Sequence, residues 1–241
     1  MRDEELRVTS KDLHKGDINS KVEVFKQSPH FAHLSEDKLS ELVALATFCY
    51  FRKGEFIFYE GETPEFFYIV QEGRVKLFKQ SACGKDFTVG VLPRGDIVHS
   101  SALFDGKAYW ASVQAMSDVI LLRIRLEEFL SFVANNPSVA MSFISLLGEQ
   151  VHTAYNRLRD MAVDRVDQRL IRILCMLSSK FGNTLFFTAE EIAELAGTTR
   201  ETTSRVMGQL KNSGIIHCTR GKITILDETR LHLLSRDLDL V

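Results

Sequence analysis

The sequence predicts an α+β protein in three parts: an N-terminal β-roll (a double-stranded β-helix), a long dimerisation helix and a C-terminal winged helix-turn-helix. Three observations carry this. From Tyr50 to Ile124 the chain is rich in β-branched and aromatic residues and is broken by Gly54, Gly61, Gly73, Gly84, Gly95 and Gly106, the short, turn-bounded strands of a compact β-roll or barrel. Between Ala140 and Met161 apolar residues recur in alternating steps of four and three. Beyond them, two threonine–glutamate capping signals ten residues apart precede two short β segments. The expected divisions are an arm at 1–20, a β-roll sensor domain at 21–136, a dimerisation helix and hinge at 137–164, and the winged module at 165–241.

The arm alternates charges and contains no apolar run of signal-peptide length, and no later run is long and uncharged enough to span a bilayer. A cytoplasmic protein with no membrane contact is expected. In the helical segment Ala140, Ile144, Leu147, Val151, Ala154, Leu158 and Met161 form a continuous a/d seam, while Glu149, Gln150, Asn156, Arg157, Arg159 and Asp160 occupy outer positions. A buried core helix can show the same stripe, but polar outer positions favour a two-helix interface between copies of the chain. Asp164 to Asp167 would then contain the hinge.

In the last part, Thr188-Ala-Glu-Glu191 and Thr198-Thr-Arg-Glu201 read as capping boxes that start two short helices, each threonine and glutamate satisfying the other's free amide. Gly197 supplies the turn, Ala193 allows the helices to cross closely, and Gly214 ends the second. Ile215-Ile216 and Ile223-Thr-Ile225 then flank Arg220-Gly221-Lys222 as a wing with a basic tip. Helical spacing turns Thr203, Val206, Met207 and Leu210 to the core and leaves Glu201, Ser204, Arg205 and Gly208 free. Arg200 lies in the first turn, where an arginine fork can take both acceptors of a guanine, and Thr199, Thr202 and Lys222 are placed to hold phosphates. An ordinary solvated helix is the bland alternative; the caps, turn glycine and wing together favour DNA.

At 241 residues and 45% hydrophobic content the chain can bury two small cores. Its net charge of −2 does not itself suggest nucleic acid. From Ile192 to Leu226, however, five basic residues (Arg200, Arg205, Lys211, Arg220, Lys222) face two acidic ones (Glu194, Glu201), a local balance of +3. Cys49, Cys83, Cys175 and Cys218 are scattered with no CxxC pair, so neither structural zinc nor a disulfide framework is expected.

The run Thr198-Thr-Arg-Glu-Thr-Thr-Ser-Arg205 followed by Leu210-Lys-Asn-Ser-Gly-Ile-Ile216 resembles the recognition helix of the bacterial Crp/Fnr superfamily of transcription regulators. Upstream, Arg52-Lys-Gly-Glu-Phe-Ile-Phe-Tyr-Glu-Gly-Glu62, Phe67 to Phe78 and Gly95-Asp-Ile resemble its cyclic-nucleotide-binding-like domain. The resemblance implies a homodimer on a two-fold-related DNA site, with RNA polymerase as a further partner of an activator. It assigns the shared G-A step to Glu201 and Arg205. Arg200 is similar to the extra guanine reader of the catabolite-activator branch and Ser204 to the serine of the fumarate-nitrate branch, so half-site preference stays open.

The effector is a separate question. Cyclic-nucleotide members use a glutamate for the ribose and an arginine–serine pair for the phosphate, because a buried phosphate must meet a cation and donors. Aligned through Gly95-Asp-Ile-Val and Leu103-Phe104, those places hold Ser100 and Tyr109-Trp110, with Lys107 the nearby cation. Cyclic AMP is not expected. Aromatic Phe104, Tyr109 and Trp110, with His99, Leu147 and Val151, suit a planar or apolar effector. The haem-containing, CO-sensing branch has an iron-ligating cysteine near the position of His99 and a Leu-Gly pair similar to Leu147-Gly148, although its histidine two places on is Ser101 here. Two readings of His99 therefore stand: a haem-iron ligand, the one candidate metal contact, or a cap of the segment after the strand. His152 is a weaker alternative. No cysteine precedes Cys49, which argues against the N-terminal iron–sulfur cluster of the oxygen-sensing branch.

A haem- or redox-dependent enzyme sharing the β-roll, and a regulatory subunit acting on a protein partner, are the competing classes. The first lacks a nucleophile–base pair, a P-loop or a dinucleotide fingerprint, and no catalytic residue is assigned. The second leaves Thr188 to Leu226 without a purpose.

Overall fold

The computed structural model describes residues 18–82, 84–98 and 100–236. Two short helices, α1 (Ile18–Gln27) and α2 (Glu36–Leu45), precede the strands β1 (Thr47–Phe51), β2 (Phe56–Phe58), β3 (Phe66–Glu72), β4 (Val75–Gln80), β5 (Asp86–Leu92) and β6 (Ile97–Val98). A 3₁₀ turn at Ser100–Leu103 leads to β7 (Ser112–Ala115), β8 (Val119–Arg125), α3 (Leu126–Ala134) and the long α4 (Pro137–Val163). The remainder is α5 (Val166–Phe181), β9 (Thr184–Leu185), α6 (Ala189–Ala196), α7 (Arg200–Asn212), β10 (Ile216–Thr219), β11 (Lys222–Ile225) and α8 (Glu228–Arg236).

The β-roll consists of two four-stranded sheets, ordered β1-β8-β3-β6 and β2-β7-β4-β5. Strand β8 lies antiparallel to both β1 and β3, pairing Cys49 with Leu121 and Phe67 with Ile124. In β3 the consecutive residues Phe67, Tyr68, Ile69 and Val70 are all buried, so both faces of that strand are covered although successive side chains project to opposite faces. Helix α1, placed by the sequence reading partly in an arm ending at residue 20, already begins at Ile18; the arm's residues 1–17 lie outside the described residues.

Five phenylalanines join the helices to this roll. Phe31 meets Phe25, Phe67, Phe129 and Phe143 edge-on at 5.3–6.4 Å between ring centroids, and Phe67 stacks on Phe129 at 4.0 Å. Each of these buried rings contributes about 1.5–3 kcal/mol through removal from water.

The contacts define two compact units. One comprises the described residues up to Leu77 together with Val91–Glu149, and the other Phe78–Gly90 together with the chain from Gln150 onward. The division falls inside α4, and the β4–β5 hairpin tip belongs with the C-terminal elements. In that second unit a three-stranded sheet is ordered β10-β11-β9. No single described helix is long and apolar enough to cross a membrane.

Candidate nucleic-acid interface

Thr188 caps α6 as its sequence implies: its hydroxyl accepts the Glu191 amide at 3.2 Å, and its own amide donates to the Glu191 carboxylate at 2.6 Å. Such a cap stabilises a helix by about 1 kcal/mol. Gly197 ends α6 in the left-handed region at φ 61° and ψ 45°, a conformation glycine adopts without Cβ strain.

The second capping box is displaced from its expected place. Thr199, not Thr198, is the N-cap of α7; its hydroxyl accepts the Thr202 amide at 3.2 Å and lies 3.2 Å from the Thr202 hydroxyl. The cause lies in the turn, which spends the Thr198 amide on the Ala193 carbonyl at 3.0 Å. Glu201 then falls one place short of the position from which a glutamate can close the box. Its carboxylate instead bonds its own backbone amide and the Thr199 hydroxyl, and with Arg200 nearby this holds its pKa below the usual carboxylate range.

Helix α7 is two-faced. Thr203, Val206, Met207 and Leu210 are buried, whereas Arg200, Glu201, Ser204 and Arg205 are exposed. The wing is a hairpin in which Thr219 opposes Lys222 across Arg220-Gly221, with Gly221 at φ 72°. Its second strand also pairs with β9, tying Ile223 to Leu185. Lys222 is exposed, its ammonium 5.9 Å from the centroid of the Phe186 ring. Between α7 and the wing runs an open groove of about 690 Å³. Arg200, Ser204, Gly208, Lys211, Cys218 and Arg220 are among the residues that line it. Arg220, expected at the basic wing tip, lies on this wall, and so does Lys211, which the sequence reading counted only as charge; its signal was its spacing from Gly208 and Ser204, three and seven residues along one helix face.

The second unit also fixes the helix-turn-helix from behind. The Arg157 guanidinium, half-buried on α4, donates to the carbonyls of Thr88 (3.2 Å), Val89 and Leu195 (2.8 Å) and lies 5.5 Å from the Phe87 ring centroid. The Thr88 hydroxyl donates to the Glu194 carboxylate at 2.8 Å. At the α4–α5 break, Arg172 pairs with Asp160 at 3.3 Å and Asp164 at 3.1 Å, and Arg169 donates to the carbonyls of Asp164 and Ala196.

The expected seam on α4 divides. Ile144, Val151 and Leu158 are exposed at 60%, 52% and 63%, with Ala154 and Met161 also exposed. Ala140 instead packs against the phenylalanine core and Leu147 is half-buried, while Tyr155, outside the expected seam, is 68% exposed. A straight helix drifts about 20° per heptad from a strict 3.5-residue repeat, and the first turns of α4 are used by their own core. The exposed stripe therefore runs from Ile144 toward Gly148, Val151, Tyr155 and Leu158.

Three aromatic residues expected to line an effector pocket, Tyr109, Trp110 and Phe104, have separate partners. Tyr109 is only 4% exposed and stacks on Phe58 at 3.6 Å, and burial pushes its phenol pKa up. Trp110 donates from Nε1 to the Ser101 hydroxyl at 2.9 Å, and Phe104 meets Phe143 edge-on at 5.1 Å. Lys107 is exposed, its backbone amide bonded to Asp105. His99 lies outside the described residues, and so does the side chain of Ser100. His152 is exposed on α4, and among the described residues no group of three or more His, Cys, Asp or Glu side chains could hold a metal ion.

Two family models match the chain, a cyclic nucleotide-binding domain at residues 48–136 and a Crp-like helix-turn-helix domain at residues 168–234. The chain is 28% identical over 211 residues to the cyclic AMP receptor protein of Thermus thermophilus, covering 87% of this chain and 98% of that protein. A solved transcriptional regulator of the CRP/FNR family from the same organism is 28% identical, with a TM-score of 0.63 over 79% of this chain and 98% of that one. FixK2 from Bradyrhizobium japonicum shares the fold at 22% identity, with a TM-score of 0.72 over 78% and 96% of the two chains.

Proposed function

Because the chain belongs to the Crp/Fnr family of transcription regulators, we propose that it is a homodimer that reads a two-fold-related duplex site with α7. The observation that carries this reading is the exposed row Arg200, Glu201, Ser204 and Arg205 on a capped helix, set beside a basic wing. Arginine and glutamate on such a helix supply the donors and acceptor that match base edges in the major groove, while Thr199, Thr202 and Lys222 are in reach of phosphates. A second copy is the occupant proposed for the exposed stripe on α4, since two recognition helices related by a dyad give the half-site spacing of a palindrome. The test is fluorescence anisotropy with duplexes selected from a random-sequence pool. Specific binding that weakens steeply with salt is expected; equal affinity for selected and scrambled duplexes would sink the reading.

We further propose that the regulating signal is not a cyclic nucleotide. In place of the phosphate-binding pair stand Tyr109, committed to Phe58, and Trp110, bonded to Ser101. The Thermus relative is named for cyclic AMP, which favours the contrary reading. Calorimetric titration with cyclic AMP and cyclic GMP decides between them: no binding heat is expected, and tight uptake coupled to duplex affinity would refute the proposal. Haem remains the narrower candidate effector, through His99, and a haem titration without stoichiometric uptake removes it.

A further inference from the structure

Gly208 stands in the middle of α7, where glycine weakens a helix relative to alanine because it surrenders more backbone freedom on folding. Nothing among the described residues requires it. Its φ is not positive, and beyond its chain neighbours and the backbone of its own helix a Cβ built on it meets no described atom within 4 Å. Gly73 and Gly197 have visible reasons, since a Cβ on Gly73 would strike the Asp118 carbonyl at 2.3 Å and Gly197 combines a φ of +61° with the Met161 methyl at 3.2 Å; Gly90 and Gly148 share the freedom of Gly208 but line no such groove. The reason for Gly208 lies outward, in what approaches that face. Gly208 lines the groove between α7 and the wing, whose charged lining residues are Arg200, Lys211 and Arg220 against Glu190. A closely approaching group there is anionic.

We infer that a sugar-phosphate strand of the bound duplex crosses α7 at Gly208, nearer to the helix axis than a Cβ permits, and that Lys211 holds its phosphate. The inference rests on the proposed entry of α7 into DNA and adds the strand's path and two residues to it. It makes stability and affinity move in opposite directions. In the full-length protein Gly208→Ala raises Tm by about 2–4 °C and weakens binding to the selected duplex by about fivefold or more. Gln209→Ala, exposed on the same turn but outside the groove lining, changes affinity by less than about twofold. Lys211→Gln lowers the slope of log affinity against log salt by about one unit. A Gly208→Ala protein of raised Tm and unchanged affinity would overturn the inference while leaving DNA reading intact. A fall in Tm would place the constraint inside the chain and overturn it as well, and wild-type protein that prefers no duplex would remove the DNA reading itself.

Discussion

Arg205 and Cys49 are set apart by their surroundings. Arg205 is exposed on the free face of α7, so Arg205→Ala costs no core contact; its expected effect is a loss of about 1–3 kcal/mol on the selected duplex, the value of one bidentate base contact, and a smaller loss on scrambled DNA. Equal losses measured by anisotropy on both duplexes would reduce Arg205 to a phosphate contact. Cys49 faces the other way, its thiol donating to the Leu121 carbonyl at 3.6 Å, and burial pushes its pKa from 9.0 to about 12. A raised thiol pKa means that the folded state holds its proton longer than the unfolded one, so this group subtracts stability as pH rises above its unfolded value. Native Cys49 should therefore resist iodoacetamide at about pH 8 and react once urea unfolds the chain, as mass spectrometry of the labelled peptides can show. Rapid native labelling would contradict its placement. The burial of Thr203, Val206, Met207 and Leu210 was legible from helical spacing. The cap at Thr199 was not, because backbone closure around Gly197 decided which threonine began α7.

Helix α4 was legible as a long helix with an apolar stripe, but not the angle at which that stripe meets solvent. Period alone cannot say that Ala140 belongs to its own core while Tyr155 is left outside. Leu158 is common to both descriptions and 63% exposed. Leu158→Asp should thus leave the monomer folded while burying a charge between paired helices, driving dimers apart and lowering duplex affinity. Sedimentation that still finds a folded dimer would exclude this face as the interface. The Arg157 cluster was illegible for a different reason: it joins positions 68, 69 and 38 residues apart, and a lone arginine at an outer helix position reads as solvated. Arg157→Met removes the guanidinium from three carbonyls and should destabilise the second unit by about 1–3 kcal/mol, visible as faster amide exchange in α6. Unchanged exchange would show those bonds to be replaceable by water. Helices α1 and α2 were not read from the sequence; in the structure Ser35 caps α2, its hydroxyl accepting the Lys38 amide.

At the scale of the whole chain, the roll, long helix and winged module were legible because each leaves a distinct mark: β-branched and aromatic runs broken by glycines in the strands, threes and fours in α4, and caps with turn glycines at the C-terminus. The path of the hairpin tip Phe78–Gly90 into the second compact unit was not, since nothing local distinguishes it from any other hairpin. Both levels bear on one claim, that two copies present two α7 helices to one duplex. Selection from a random-sequence pool, followed by mass measurement of the complex formed on the enriched duplex, tests it most directly. The expected result is a palindrome whose half-sites lie one helical turn of about 10–10.5 base pairs apart, or a multiple of it, with two protomers per duplex. A single asymmetric element bound by one protomer, or no enrichment, would contradict it.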